Sequence, residues 1–116
     1  MKETILELSR TPYHLDNCQL TGIEKKGRIV TLTFLDGIYK NEERVGGAVV
    51  ITNVMKDSYI IHNKKKHKLD DHHHIDLDID GYAYGQNYLF LQWKKHQEPM
   101  LICIHFMGNV QFETVS

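Results

Sequence analysis

Residues 72–80, His-His-His-Ile-Asp-Leu-Asp-Ile-Asp, interleave imidazoles and carboxylates with branched apolar side chains. At the two-residue period of a strand, Ile75, Leu77 and Ile79 share one face, and His72, His74, Asp76, Asp78 and Asp80 share the other. The apolar face is expected to bury itself. The opposite face then carries an ionisable stripe with successive side chains about 6 to 7 Å apart, twice the rise of a strand residue. Two chemistries suit such a stripe. Three carboxylates at alternate positions repel one another, and Asp is a poor strand residue, so a cationic protein surface would relieve the repulsion and speed encounter. Alternatively, His72-x-His74 puts two imidazoles on one side to share a metal, with Asp78 and His105 completing the set if their strands are neighbours. The bland alternative is a solvated face whose aspartates blunt a sheet edge.

Neighbouring residues favour the docking chemistry. Asp70 and Asp71 stand at the entrance of the stripe, and Tyr82, Tyr84 and Tyr88 follow it around Gly81 and Gly85. Tyrosine offers large contact area with little rotamer entropy to lose, so Tyr and Gly together build recognition loops; packing within a hairpin is the alternative. The metal reading draws on a partial likeness to the two-part cupin motif in His72, His74, Asp78, Gly85, His105 and Asn109. It departs from that motif heavily. The glycine before the first histidine is absent, Asp78 stands where Glu is usual, and the Pro-x-Gly before the last histidine is missing. The run Lys64-Lys65-Lys66-His67-Lys68 lacks interleaved aromatics and adjoins carboxylates, so it reads as a solvated hairpin loop.

Nothing supports covalent catalysis. The serines Ser9, Ser58 and Ser116 lie outside any G-x-S-x-G elbow, and Cys18 and Cys103 have no CxxC spacing and read as reduced thiols. Gly46-Gly47 reads as a bulge or tight turn, not a phosphate cradle. A non-enzymatic chain without a cofactor is the expectation.

The elements that must position these groups are short strands. A length of 116 residues suits one domain spanning 1–116, and a net charge of -1 gives no bulk field toward nucleic acid or an anionic membrane. Acidic residues interrupt the N-terminal apolar ones, and no run approaches the roughly 18 apolar residues of a membrane helix, so a cytoplasmic location is expected. Residues 3–9 group Ile5, Leu6 and Leu8 ahead of Pro12, which predicts a short helix. From about residue 17 the period is two. Strands are predicted over 20–24, 28–35, 47–54, 59–62, 72–80, 88–94, 100–106 and 110–114, with loops at 38–45 and 63–71. Turns fall at Gly27, Asp36-Gly37, Lys56-Asp57-Ser58 and Gly108-Asn109. About eight strands with no room for βαβ crossovers make an all-β fold, a mostly antiparallel sandwich or partly open barrel.

The first half carries a family likeness. Tyr13-His14-Leu15-Asp16-Asn17-Cys18, then Leu20 and Ile23, then Thr31-Leu32-Thr33-Phe34-Leu35-Asp36-Gly37 with Tyr39 and Gly47-Ala48-Val49, resembles small bacterial proteins of the immunity assortment attached to polymorphic toxin systems. In those proteins the histidine and aspartate adjoin; here Leu15 separates His14 from Asp16, with Asp16 or Asn17 read as capping a turn. The resemblance implies a protein that neutralises a cognate toxin. The partner surface would be Asp70, Asp71, Asp76, Asp78, Asp80, Tyr82 and Tyr84, set against a cationic toxin.

Overall fold

The alternating apolar pattern folds into thirteen strands among the described residues: β1 (Lys2–Ile5), β2 (Tyr13–His14), β3 (Gln19–Lys26), β4 (Ile29–Phe34), β5 (Ile38–Lys40), β6 (Glu43–Ile51), β7 (Tyr59–His62), β8 (Lys65–Lys68), β9 (His72–Asp78), β10 (Gly81–Tyr84), β11 (Tyr88–Trp93), β12 (Met100–His105) and β13 (Val110–Val115). The structure, a computed structural model, describes residues 2–5, 13–15, 17–35, 37–62, 64–69, 72–79, 81–85, 87–93 and 100–115. For 2–5, 72–78, 84, 93 and 114–115 the description is of the backbone. No described helix is long and apolar enough to cross a membrane.

The strands form two antiparallel sheets. The larger runs β1-β13-β6-β4-β3-β9, with β5 laid against the start of β6 and β2 against β5; the smaller runs β10-β11-β12-β7-β8. They pack as an open sandwich, and neither closes into a barrel. Inward positions follow the two-residue period: Val30, Leu32 and Phe34 on β4, Val49 and Ile51 on β6, and Val110 and Phe112 on β13 meet Leu89 and Leu91 on β11 and Ile102 and Ile104 on β12. Tyr13 and Phe112, both fully buried, stack with ring centroids 4.2 Å apart and planes 5° from parallel.

Local expectations failed where pairing outweighed pattern. The predicted N-terminal helix over 3–9 is a strand over Lys2–Ile5, because Lys2 to Ile5 pair with Glu113 to Val110; residues 6–9 lie outside the described residues. The predicted loop 38–45 holds β5 and the start of β6, closed by Asn41 at φ +55°. Gly46 and Gly47 lie inside β6 opposite Val115 and Thr114, neither bulge nor turn. Within the predicted loop 63–71, β8 pairs with β7 although all four of its residues are exposed. Short, mostly polar strands of this kind raise the strand number above the eight expected.

Cys18 and Cys103 are both buried, reduced thiols. Burial pushes the Cys103 thiol up, opposed by a hydrogen bond from the Tyr59 hydroxyl; Asp57 adds to the rise and Lys66 opposes it. The Tyr59 phenol is raised as well, first by the charge that Cys103 would carry, then by burial. A folded chain that keeps these protons loses stability relative to the unfolded chain as pH climbs past the ordinary thiol range, about 8.5. Below that value the contribution is fully present. At pH 8 a chromogenic disulfide reagent should label the native thiols at least about tenfold more slowly than those of the urea-unfolded chain. Equal rates would mean that Cys103 is neither shielded nor raised.

Candidate functional site

The ionisable stripe lies on β9, which pairs with β3 and ends the larger sheet. Residues directly opposite in an antiparallel ladder share a face, so the register assigns the faces of β9 without reference to its side chains. Position 77 stands opposite Leu20 and position 73 opposite Ile23, both fully buried. Positions 73 and 77 therefore lie on the core face, and Ile79, just past the strand, is 1% exposed. Position 72 stands opposite the exposed Glu24, and position 78 opposite the half-buried Gln19. Positions 72, 74 and 78 lie on the outer face. An irregularity between Leu20 and Gly22 keeps Leu20 and Ile23 both inward on β3, and positions 75 and 76 of β9 lie across from it without a register partner.

Backbone bonds anchor the end of the stripe. The Asn17 amide donates to the Ile79 carbonyl at 3.0 Å, and the Ile79 amide donates to the Cys18 carbonyl at 2.9 Å. Asn17 takes φ +60° in a turn between the fully buried Leu15 and Cys18. Asp16 lies outside the described residues. So do Asp70, Asp71 and Asp80 of the expected surface. For His72, His74, Asp76, Asp78 and Tyr84 the structure gives the backbone alone.

Tyr82 is half-buried and packs against the core, and its hydroxyl lies 3.1 Å from His14 Nδ1. This bond joins the N-terminal segment to the strand after the stripe. Positions 82 and 84 stand opposite the buried Leu91 and Leu89, so the register puts both on the core face of the smaller sheet and not on the partner surface expected from the sequence. Tyr88 is exposed on the outer face of the smaller sheet, stacked between Phe90 at 5.8 Å and His105 at 4.5 Å.

The proposed metal set is split between the sheets. His72, His74 and Asp78 belong to β9, whereas His105 ends β12 of the other sheet. His105 has a different partner, which sequence reading missed. Its Nδ1 lies 2.8 and 3.0 Å from the two Asp57 oxygens. Buried Ser58 fixes the backbone beside it, its Oγ accepting from the His105 amide at 2.9 Å and donating to the His105 carbonyl at 3.2 Å. Asp57 and His105 are 48 residues apart, and no local periodicity links a turn aspartate to a strand-end histidine. Among the described residues no group of three His, Cys, Asp or Glu side chains could hold a metal.

The basic run forms β8, the edge of the smaller sheet, with Lys66 Nζ 4.4 Å from the centre of the Tyr59 ring. Four Cα steps separate Lys68 from His72, so the near ends of these edge strands lie within about 15 Å of each other. Both resist pairing with further strands, because charged edges disfavour intermolecular ladders. Among known proteins, no family, no curated protein and no solved structure matches this chain.

Proposed function

We propose that this chain is a non-enzymatic, cytoplasmic binding protein of the immunity type, which neutralises a cognate toxin by occluding a cationic surface. The observation that carries this reading is the β3–β9 register, which assigns positions 72, 74 and 78 to the outer face of an edge strand. Carboxylates there meet a cation without first leaving a core. Complementary charge then raises the rate of encounter more than the final affinity. Toxins that cleave nucleic acid suit the mechanism because they must hold phosphates on a cationic surface. Tyr82 and Tyr84 are left out of the contact surface, because positions 82 and 84 stand opposite the buried Leu91 and Leu89 of β11, on the core face of the smaller sheet.

The test uses the toxic domain encoded beside this chain's gene, mixed with the purified chain in stopped flow. Asp76→Asn with Asp78→Asn should slow association at least about tenfold at 0.05 M salt and flatten its salt dependence. Association of the unaltered chain should itself slow between 0.05 and 0.5 M salt, roughly a threefold change in screening length. Rates indifferent to salt and to the double substitution would end the electrostatic mechanism. A neighbouring gene product that this chain neither binds nor neutralises would end the immunity reading.

A further inference from the structure

At one end of the sandwich, the turn between β3 and β4, the β6–β7 segment and the end of β12 enclose an open cavity of about 310 Å³. Its wall is Val54 and Met55, with Arg28, Lys56, Asp57 and His105 around it. The volume sits at the lower end of the range for small-ligand sites, about 300 to 1,000 Å³. This site lies apart from the acidic strand, and nothing in the toxin-binding reading uses it.

The frame is set by backbone bonds. The Val54 amide donates to the Arg28 carbonyl at 2.8 Å, the Met55 amide to the His105 carbonyl at 2.7 Å, and Val54 bridges to Phe106. Side chains are held as well. Arg28 Nη1 donates to Asn53 Oδ1 at 3.4 Å, leaving most of its guanidinium donors for another acceptor. His105 is gripped by Asp57 through Nδ1 and by Tyr88 against its ring, and its Nε2 has no hydrogen-bond partner among the described residues. Arg28 and Lys56 outnumber the one carboxylate, whose two oxygens both face His105 Nδ1.

We propose that this cavity binds a small ligand with an apolar body and a single anionic head, a carboxylate of aryl or alkyl type. The body packs on Val54 and Met55. The head meets the Arg28 guanidinium, whose planar fork matches a carboxylate in two parallel bonds. Lys56 adds a mobile second cation at the rim. A bare inorganic anion gains no apolar contact here, and a neutral isostere leaves the guanidinium unanswered.

Amide chemical-shift titration of the full chain tests this with three probes: benzoate, its neutral isostere benzamide, and inorganic phosphate. Benzoate should give saturable shifts confined to the amides of Arg28, Val54, Met55, Asp57 and His105, with an affinity at least tenfold above benzamide and phosphate. Arg28→Gln should erase the preference for benzoate over benzamide. If that variant lacks a native spectrum, benzoate titrations of the unaltered chain at 0.05 and 0.5 M salt replace it, and affinity should fall several-fold. Overturning results are unsaturable or scattered shifts, benzamide or phosphate binding as well as benzoate, an Arg28→Gln chain that keeps the preference, or affinity unmoved by salt.

Discussion

Replacing Phe112 by alanine should cost the fold about 3 to 5 kcal/mol, a large part of the roughly 5 to 15 kcal/mol that holds a domain of this size together. Phe112 is fully buried at the centre of β13, between β1 and β6. Its ring lies almost parallel to that of Tyr13 at 4.2 Å. Truncation removes apolar area and leaves a cavity, and it also strips the partner from a second fully buried aromatic. Tyr13 cannot simply collapse into the gap, because β2 is tied to β5 at Tyr13–Lys40 and His14–Tyr39. Phe112→Leu keeps much of the volume and should cost only about 1 to 1.5 kcal/mol. Urea unfolding of both variants, with unchanged slope, checks the ranking. A loss below about 1.5 kcal/mol for Phe112→Ala would mean that the Tyr13–Phe112 stack is not part of the central core.

The sandwich was legible wherever apolar residues alternate. Val30-x-Leu32-x-Phe34 and Leu89-x-Leu91 fall on the core face as their period requires. The ionisable strand was legible for the same reason, since Ile75, Leu77 and Ile79 recur at every second position. Five strands were not: β1, β2, β5, β8 and β10. Lys65–Lys68 has no apolar residue to mark a face, and only the ladder to Tyr59–His62 makes it a strand. The β5–β6 hairpin is nearly as polar; it is set by a turn at Asn41 and by fully buried Ile38. At the N-terminus, Ile5, Leu6 and Leu8 suggested a helix until pairing with β13 overrode so short a local preference. The cavity at the sandwich end was illegible for a different cause. Arg28, Val54, Asp57 and His105 come from three segments that only tertiary pairing brings together. Sequence spacing carries no record of such a meeting.

Gly37→Ala should destabilise the protein by at least about 3 kcal/mol, for reasons a second glycine separates. β4 and β5 lie end to end along one side of β6, with Thr33 opposite Ala48 and Ile38 opposite Val45. The chain between them must kink tightly against β6, and Gly37 makes that kink at φ +84°. A left-handed backbone costs a non-glycine residue about 1 to 2 kcal/mol. At Gly37 a methyl would also be driven into the Val45 carbonyl and the Gly46 Cα. These are backbone atoms of a paired strand, so no rotamer change relieves them. Gly27 provides the control: its φ is +61°, yet nothing lies within 4 Å of where a Cβ would stand. Gly27→Ala should therefore cost only the backbone preference, about 1 to 2 kcal/mol. The difference between the two losses isolates the collision with β6. Equal losses on urea unfolding would mean that β5 does not press on β6 at this corner, and the close approach at Gly37 would have to be abandoned.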